Sequence, residues 1–379
     1  MLNVAIIGTG GIAPLHIKGY LTFKEDVNIV ALCDIYPEKA EKMAADFDLD
    51  VTIYDDHEKL LANESIDLVS VCTPPYVHAE IAINAMKAGA HAVVEKPMAA
   101  SLKECDDMNR VSEETGKTLS IISQNRFTNP MMKLKTLLDE KVIGKVLHTQ
   151  VDSFWWRGHN YYDLWWRGTW EKEGGGCTLN HAVHHLDIFK WLNGMPDEIT
   201  AVMSNVAHDN AEVEDISIAI GKYKDGGLAT LTSSVVHHGE DQQLIFQGEE
   251  ARISAPFKVS AMAAQGNGFP KENAEKMEAI TIRYEELDDL PYEGHTGQLN
   301  NVIQSLLGHE ELVVDGYQGK QTLELIMAIY SASQAGQKVD LPIDSSHPFY
   351  TKEGVMASVP RFYEKSGSVE NFEEGEITT

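Results

Sequence analysis

The feature that most constrains this chain is a rhythm in its first third. Short apolar runs at 4–7, 27–33, 68–72, 91–95 and 118–122 are separated by helix-like segments at 37–47, 76–88 and 101–115. The runs do not alternate apolar with polar, so both faces of each strand must be covered. That predicts a parallel sheet between two layers of helices. Near Gln124 the rhythm changes. One more helix is expected at 131–140, ended by Gly144. Runs at 146–154, 199–206, 216–223, 227–236 and 243–247 then alternate, as strands of a mostly antiparallel sheet do. Helical patterns interrupt them at 176–192, 298–307 and 317–334. The chain reads as α/β: a domain with a parallel sheet covered on both faces at 1–123, a C-terminal α/β domain with a large, mostly antiparallel sheet at 124–345, and a tail at 346–379. The tail is polar, turn-rich and acidic at its end ("VENFEEGEITT"), which reads as an arm or a frayed terminus.

With 379 residues there is room for two domains and a well-buried core. A formal charge of -27 argues against nucleic acid and anionic membrane surfaces as partners. The four cysteines lie far apart with no CxxC pair, which argues against a zinc ribbon or a disulfide framework and fits free thiols in a reducing compartment. The start, "MLNVAIIGTG", has no basic segment and too short an apolar run for a signal or a membrane span. A cytoplasmic protein is expected.

The first apolar run leads into "GTGGIA", a G-x-G-x-x-A. Gly8 allows a tight turn, Gly10 lets the backbone approach a pyrophosphate, and Ala13 is small enough for a helix to pack closely on the sheet. Thr9, Gly11 and Ile12 complete the loop, and the next helix aims its N-terminus at the phosphates. A second strand ends at Asp34, 21 residues beyond Ala13. An acid there accepts from ribose hydroxyls and repels a 2′-phosphate, so NAD is expected over NADP.

Two more strand ends carry chemistry, "CTPP" at Thr73-Pro74 and "EKP" at Glu95-Lys96-Pro97. Strand C-termini border the ligand crevice of an open α/β sheet, so a lysine there can hold or polarise a substrate oxygen; alone it could equally be a surface lysine before a turn. "GTGGIA", "CD", "CTPPYVHAEIAINAMKAGAHAVVEKPMAAS", "QNRFTNP" and "GGGCTLNHAVHH" together resemble the glucose–fructose oxidoreductase / inositol dehydrogenase / MocA family, in order and spacing, over roughly residues 2 to 340. The resemblance implies an N-terminal Rossmann dinucleotide-binding domain, a C-terminal α/β domain whose large sheet is open, and oxidation of a sugar or polyol hydroxyl by a nicotinamide cofactor. It implies Lys96 beside the nicotinamide and the reacting hydroxyl, a lysine–proline bond that is often cis, and dimers or tetramers built through the C-terminal sheet. Thr73, Pro74, His78, Glu95, Lys96 and Gln124 are the further cofactor contacts expected. Asn125 and Arg126 come after the last strand of the first domain and are candidates for the substrate side, Arg126 equally for a plain salt bridge.

In "GGGCTLNHAVHHLD", a continuous helix puts Leu179, Val183, Leu186 and Phe189 on one apolar face. His181 and His185 then point away from it, as a solvated helix face. They have i, i+4 spacing, but Ala182 stands where H-E-x-x-H needs glutamate and no third ligand is evident, so no metal is expected. By resemblance His184 matches the family's catalytic histidine and Asn180 a position that is often aspartate. Histidine titrates near neutrality and can take a hydroxyl proton, while Lys96 as a cation steadies the alkoxide. Asn180 cannot shuttle a proton. It orients a substrate hydroxyl or His184, and the proton leaves through Asp187 or water, Asp187 being equally readable as structural.

The stretch "FWWRGHNYYDLWWRGTW" holds five of the six tryptophans. Flat rings among polar groups suit the C–H faces and polar edges of a sugar or cyclitol; packing between domains or subunits is the plainer alternative. The resemblance assigns Trp166 and Arg167 to the cofactor, which leaves Trp155, Trp156, Tyr161 and Tyr162 for substrate. The expectation is an NAD-dependent sugar or polyol dehydrogenase. The alternatives are a catalytically silent NAD-binding regulator and an enzyme that cleaves glycosides with NAD assistance.

Overall fold

The computed structural model describes residues 1–369. Contacts gather the chain into two compact units, Met1–Met132 with Asp288–Leu323, and Lys133–Leu287 with the residues from Glu324 onward. The stretch 288–323, placed by the sequence in the second domain, packs with the first unit.

The first unit alternates strands and helices: β1 (Leu2–Ile7), α1 (Ala13–Thr22), β2 (Val27–Cys33), α2 (Pro37–Asp46), β3 (Thr52–Tyr54), α3 (His57–Asn63), β4 (Leu68–Val71), α4 (His78–Lys87), β5 (His91–Val94), α5 (Leu102–Thr115) and β6 (Leu119–Ile121). The sheet runs β3-β2-β1-β4-β5-β6, every pair parallel. Val4, Ile6, Leu68, Val69, Val93 and Val94 are wholly buried, as non-alternating strands covered on both faces must be. The winding reverses between β1 and β4. Ligands of such sheets bind beyond the strand C-termini at that point.

After α6 (Asn129–Asp139), the second unit carries β7 (Val146–Phe154), α7 (Cys177–Asn180), α8 (Val183–Asn193), β8 (Glu198–Ser204), β9 (Ile216–Lys222), β10 (Leu228–Ser234), β11 (Gln242–Gly248), β12 (Arg252–Ala255) and β13 (Lys258–Ser260). A hairpin, β14 (Met262–Ala264) with β15 (Pro270–Glu272), precedes α9 (Ala274–Glu286). After α10 (Gly294–Leu306) come α11 (Gly316–Ala335), β16 (Val339–Asp340) and α12 (Lys352–Ser358). The large sheet runs β13-β12-β11-β7-β10-β9-β8-β16, antiparallel except for β7 with β10. Three elements the sequence did not announce, α9, β14 and β15, bury little. Ile280 is the buried residue of α9, and every residue of β14 and β15 is exposed, so neither writes a periodic apolar pattern.

The tail is structured for most of its length. Phe349 and Tyr350 are buried, α12 comes next, and Val369 pairs with the loop at Asp163–Trp165. The acidic end from residue 370 lies outside the described residues. Among the described residues no helix is long and apolar enough to cross a membrane.

Within the first unit α10 lies against α1 so closely that a Cβ on Gly19 would sit 2.6 Å from Leu299 Cδ1. Leu299 is fully buried. Leu299→Ala is therefore expected to cost about 2–5 kcal/mol of stability, read by denaturant unfolding. A loss far below that range would mean that α10 adds little to the first unit.

Candidate functional site

In the first unit the glycine turn sits at the switch point. Gly8 has φ +93°, and a Cβ there would lie 2.7 Å from the backbone of Cys72, at the end of β4. Only glycine fits such a conformation at such an approach. Thr9 is buried and donates both its N–H (2.8 Å) and its hydroxyl (2.9 Å) to Asp34 Oδ2, while Asp34 Oδ1 accepts from the Tyr36 N–H at 3.0 Å. Asp34 thereby ties the turn to the end of β2. Gly10 and Gly11 are exposed, Ile12 is half-buried, and no side chain caps α1. Uncapped helix N-termini favour phosphate.

Two buried polar atoms at strand ends, Thr73 Oγ1 after β4 and Gln124 Oε1 after β6, have no protein partner. With the open glycine turn and Asp34, they offer unspent hydrogen-bonding capacity of the kind that a dinucleotide uses. The residues of the first unit fit NAD.

Other expected contacts are spent on the fold. His78 is wholly buried, its Nδ1 2.9 Å from the Pro97 carbonyl and its Nε2 2.7 Å from that of Thr73. It ties two loops together. Glu95 is 4% exposed and meets His16 and His295. Arg126 is fully buried with its guanidinium on Gln318, which leaves it no surface for a substrate. Asn125, Lys96 and Thr73 are half-buried, Pro74 is exposed, and the Lys96–Pro97 bond is cis.

In the second unit the triple glycine is a packing requirement. A Cβ on Gly175 would lie 2.2 Å from Tyr330 Oη, and one on Gly176 1.9 Å from the Glu214 carbonyl oxygen. The Glu214 carboxylate, wholly buried, accepts from the Gly176 and Thr178 N–H groups, each at 3.0 Å, and from the Tyr330 hydroxyl at 3.0 Å. It caps α7. Burial pushes its carboxyl up, against the pull of those donors. Asn180 turns its amide back on the Gly175 and Gly176 carbonyls at 2.8 and 3.3 Å.

The expected single helix over 176–192 is broken. The N–H of Ala182 reaches the carbonyl of Cys177 at 2.9 Å, an i to i−5 bond, before α8 begins. One extra residue in a turn rotates every later side chain by about 100°. That corrects the expectation of a solvated face: His181 and His185 are buried and His184 is half-buried. His185 Nδ1 meets Ser153 Oγ at 2.9 Å, and burial lowers its pKa to about 4. Asp187 is buried beside Lys190, 3.5 Å away.

The aromatic loop is organised by two arginines. The Arg157 and Arg167 guanidiniums lie 5.7 and 4.2 Å from the Tyr161 ring centre. Arg167 also covers Trp166 at 4.3 Å, and Arg157 covers Trp155 at 5.3 Å. Arg157 pairs with Glu240 at 2.8 Å, and Arg167 with Glu173 at 3.3 Å. Burial raises Glu173 to about 7. Trp155, Tyr161 and Trp166 are half-buried and Trp156 is exposed. Tyr162 instead faces inward, edge-on to His208 at 4.9 Å. Sequence reasoning did not find Glu173, Glu214 or Tyr330. The signal available was three consecutive glycines, which ask for close neighbours.

Folded His185 stays neutral down to about pH 4, whereas the unfolded residue protonates near 6.5. Between those values the unfolded state binds more protons, so stability falls as pH drops from 6.5 towards 4, by about 3 kcal/mol in all. Unfolding free energies across that window should show this slope, and His185→Gln should flatten it. An unchanged slope in the variant would remove His185 as its source.

Comparison with known proteins matches this architecture. Residues 2–123 match a family described as an oxidoreductase family with an NAD-binding Rossmann fold, and residues 131–254 match the GFO/IDH/MocA C-terminal domain. A 2,7-anhydro-N-acetylneuraminate hydratase of Mediterraneibacter gnavus is 31% identical over 256 residues, 66% of each chain. D-glucoside 3-dehydrogenase of Escherichia coli is 25% identical over 362 residues, 90% of this chain and 97% of that one. The WlbA dehydrogenase from Bordetella pertussis, solved in complex with NADH and UDP-GlcNAcA, superposes with a TM-score of 0.77 at 26% identity, covering 90% of this chain and 99% of that one. The first unit thus carries an NAD-binding Rossmann fold, and its relatives include sugar dehydrogenases and a hydratase. Two family models matched in order on one chain, over a sheet pair of the matching topology, place this protein in the Gfo/Idh/MocA family of oxidoreductases.

Proposed function

We propose that the protein oxidises a ring hydroxyl of a sugar, inositol or related polyol by hydride transfer to NAD. The observation that carries this is that, of the three clustered histidines, His184 alone is not buried, while Lys96 stands half-buried at the C-terminal end of a sheet strand. Bound NAD supplies the hydride acceptor. Gly8, Thr9, Gly10, Gly11 and Ile12 cradle its phosphates, Asp34 accepts from the ribose hydroxyls and disfavours a 2′-phosphate, and Thr73 and Gln124 give it their unspent polar atoms. His184 removes the hydroxyl proton and the Lys96 ammonium steadies the developing alkoxide. Asn180, its amide nitrogen already spent, keeps Oδ1 to orient a hydroxyl. Trp155, Trp156 and Tyr161 offer ring faces to the substrate, and Asn125 a polar edge.

The hydratase relative supports a second reading, in which NAD is used and regenerated within one turnover and no net NADH appears. One experiment separates the two. Inositols, aldoses, sugar acids and their glycosides are incubated with NAD⁺ or NADP⁺, and both NADH and sugar products are followed. NADH formed in step with a ketone product, with NAD⁺ preferred, supports the dehydrogenase. Altered sugar without NADH supports the second reading. His184→Ala should lower kcat by about 10²–10⁴-fold with NAD affinity unchanged. Normal turnover in that variant would remove His184 from the chemistry.

Assembly is expected through the large sheet. Val202, Ile218, Ile220 and Leu228 are 64%, 46%, 49% and 45% exposed on one face, flanked by Thr200, Thr230 and Thr232. An apolar patch of this kind marks an interface, and a second copy in a homodimer or tetramer is the occupant we infer. Ile218→Glu with Ile220→Glu should lower the mass measured by light scattering to that of one chain. A wild-type protein that is already monomeric ends this inference.

A further inference from the structure

Beneath the Glu-Lys-Pro corner lies a chain of hydrogen bonds. Glu95 Oε1 accepts from His16 Nε2 of α1 at 3.0 Å and from His295 Nε2 of α10 at 3.1 Å. Its Oε2 accepts the backbone N–H of Lys96 at 3.1 Å. Behind His16, Nδ1 lies 3.1 Å from Ser70 Oγ of β4, and Ser70 lies 2.6 Å from the Tyr20 hydroxyl. One arrangement of protons satisfies every contact. Tyr20 donates to Ser70, Ser70 to His16 Nδ1, and both imidazoles donate Nε2–H to the carboxylate. His16, Glu95 and His295 are also a set that a divalent cation accepts. Here hydrogen bonds already account for each ligand atom, so the cluster reads as a clamp.

We propose that Glu95 is a positioning residue for Lys96: clamped by His16 and His295, its carboxylate fixes the Lys96 backbone at the strand end and sets the charge that the ammonium feels. This rests on the role of Lys96 in the proposed oxidation. Burial works to raise the Glu95 carboxyl, but the hydrogen bonds from the two imidazoles pull it down, and the group is held ionised, well below the usual carboxylate range. Burial keeps His16 neutral. The donors on this buried anion are two imidazoles and a backbone amide, so its field reaches the groups around it. Among side chains with a titratable group, that field acts on His16 from α1, Cys72 just after β4, His78 from α4 and His295 from α10; Tyr20 of α1 joins the chain through Ser70, and Lys96 adjoins Glu95 and donates its backbone N–H to it.

The test uses the full chain and needs no substrate. Labelling of Lys96 by a small amine-acylating reagent is followed against pH by peptide mass spectrometry. Glu95→Gln removes the charge and turns an amide N–H towards an N–H donor. The Lys96 labelling profile should move to lower pH, since the lysine loses a neighbouring anion. In an active enzyme kcat should fall about 100-fold, with KM and NAD affinity near wild type. His295→Leu should shift labelling in the same direction, and His295→Gln, which keeps an N–H donor, should recover much of the loss. A Lys96 profile identical in wild type and Glu95→Gln overturns the proposal. So does an activity loss that tracks only lower Tm and weaker NAD binding. Should the wild type show no dehydrogenase activity, the labelling profile still decides the clamp, apart from the fate of the proposed reaction.

Discussion

A carboxylate taken out of water must be met by donors, and both halves of this protein are arranged around that demand. In the first unit Glu95 gathers an imidazole from α1, an imidazole from α10 and the Lys96 amide. In the second, Glu214 gathers the first amides of α7 and the Tyr330 hydroxyl. Each holds the backbone of a segment that carries a chemical group: the Glu-Lys-Pro turn in one case, the Gly-Gly-Gly stretch before Asn180 in the other. The glycines are a consequence, because the Glu214 backbone and Tyr330 press closer than any side chain allows.

The buried carboxylates do not share an electrostatic state. Histidine donors hold Glu95 ionised, whereas burial drives Glu173 up to about 7 although Arg167 lies 3.3 Å away. A charge of -27 spread over the whole chain says nothing of this. Most of that charge lies on the surface, where water screens it. The interior acids are few, and their behaviour is set by the donors that each has.

What the sequence made legible was local. Non-alternating strands, a glycine turn and an acid 21 residues beyond Ala13 predicted a parallel sheet and an NAD site, and the sheet order, the left-handed Gly8 and the family match agree. What stayed hidden was pairing at long range. His295 stands 200 positions from Glu95, Gln318 stands 192 from Arg126, and Glu214 stands 38 from Gly176. No periodicity reports such partners, because the fold, and not the chain, makes them neighbours. The same holds for Arg126 and His78, whose residue types suggest ligands and whose side chains hold loops instead. The helix over 176–192 failed for a different reason: one inserted residue shifts its phase, and although Val183, Leu186 and Phe189 are buried as a 100° count expects, the same count put His181 and His185 on a solvated face, where they do not lie.

That phase shift bears directly on the chemistry. Three histidines within five positions would, on a regular helix, share similar access to solvent in pairs. His181 and His185 do form such a pair, both of them buried, and His184 is the half-buried one. His185 turns inward onto Ser153 and is held neutral by burial to about pH 4, too far below neutrality to take a proton at working pH and give it back. His181 is buried among the rings of Trp155 and Tyr161. Only His184 keeps partial contact with solvent, the condition under which an imidazole exchanges protons readily. Of the three histidines, burial thus encloses two, and the proposed oxidation rests on the third.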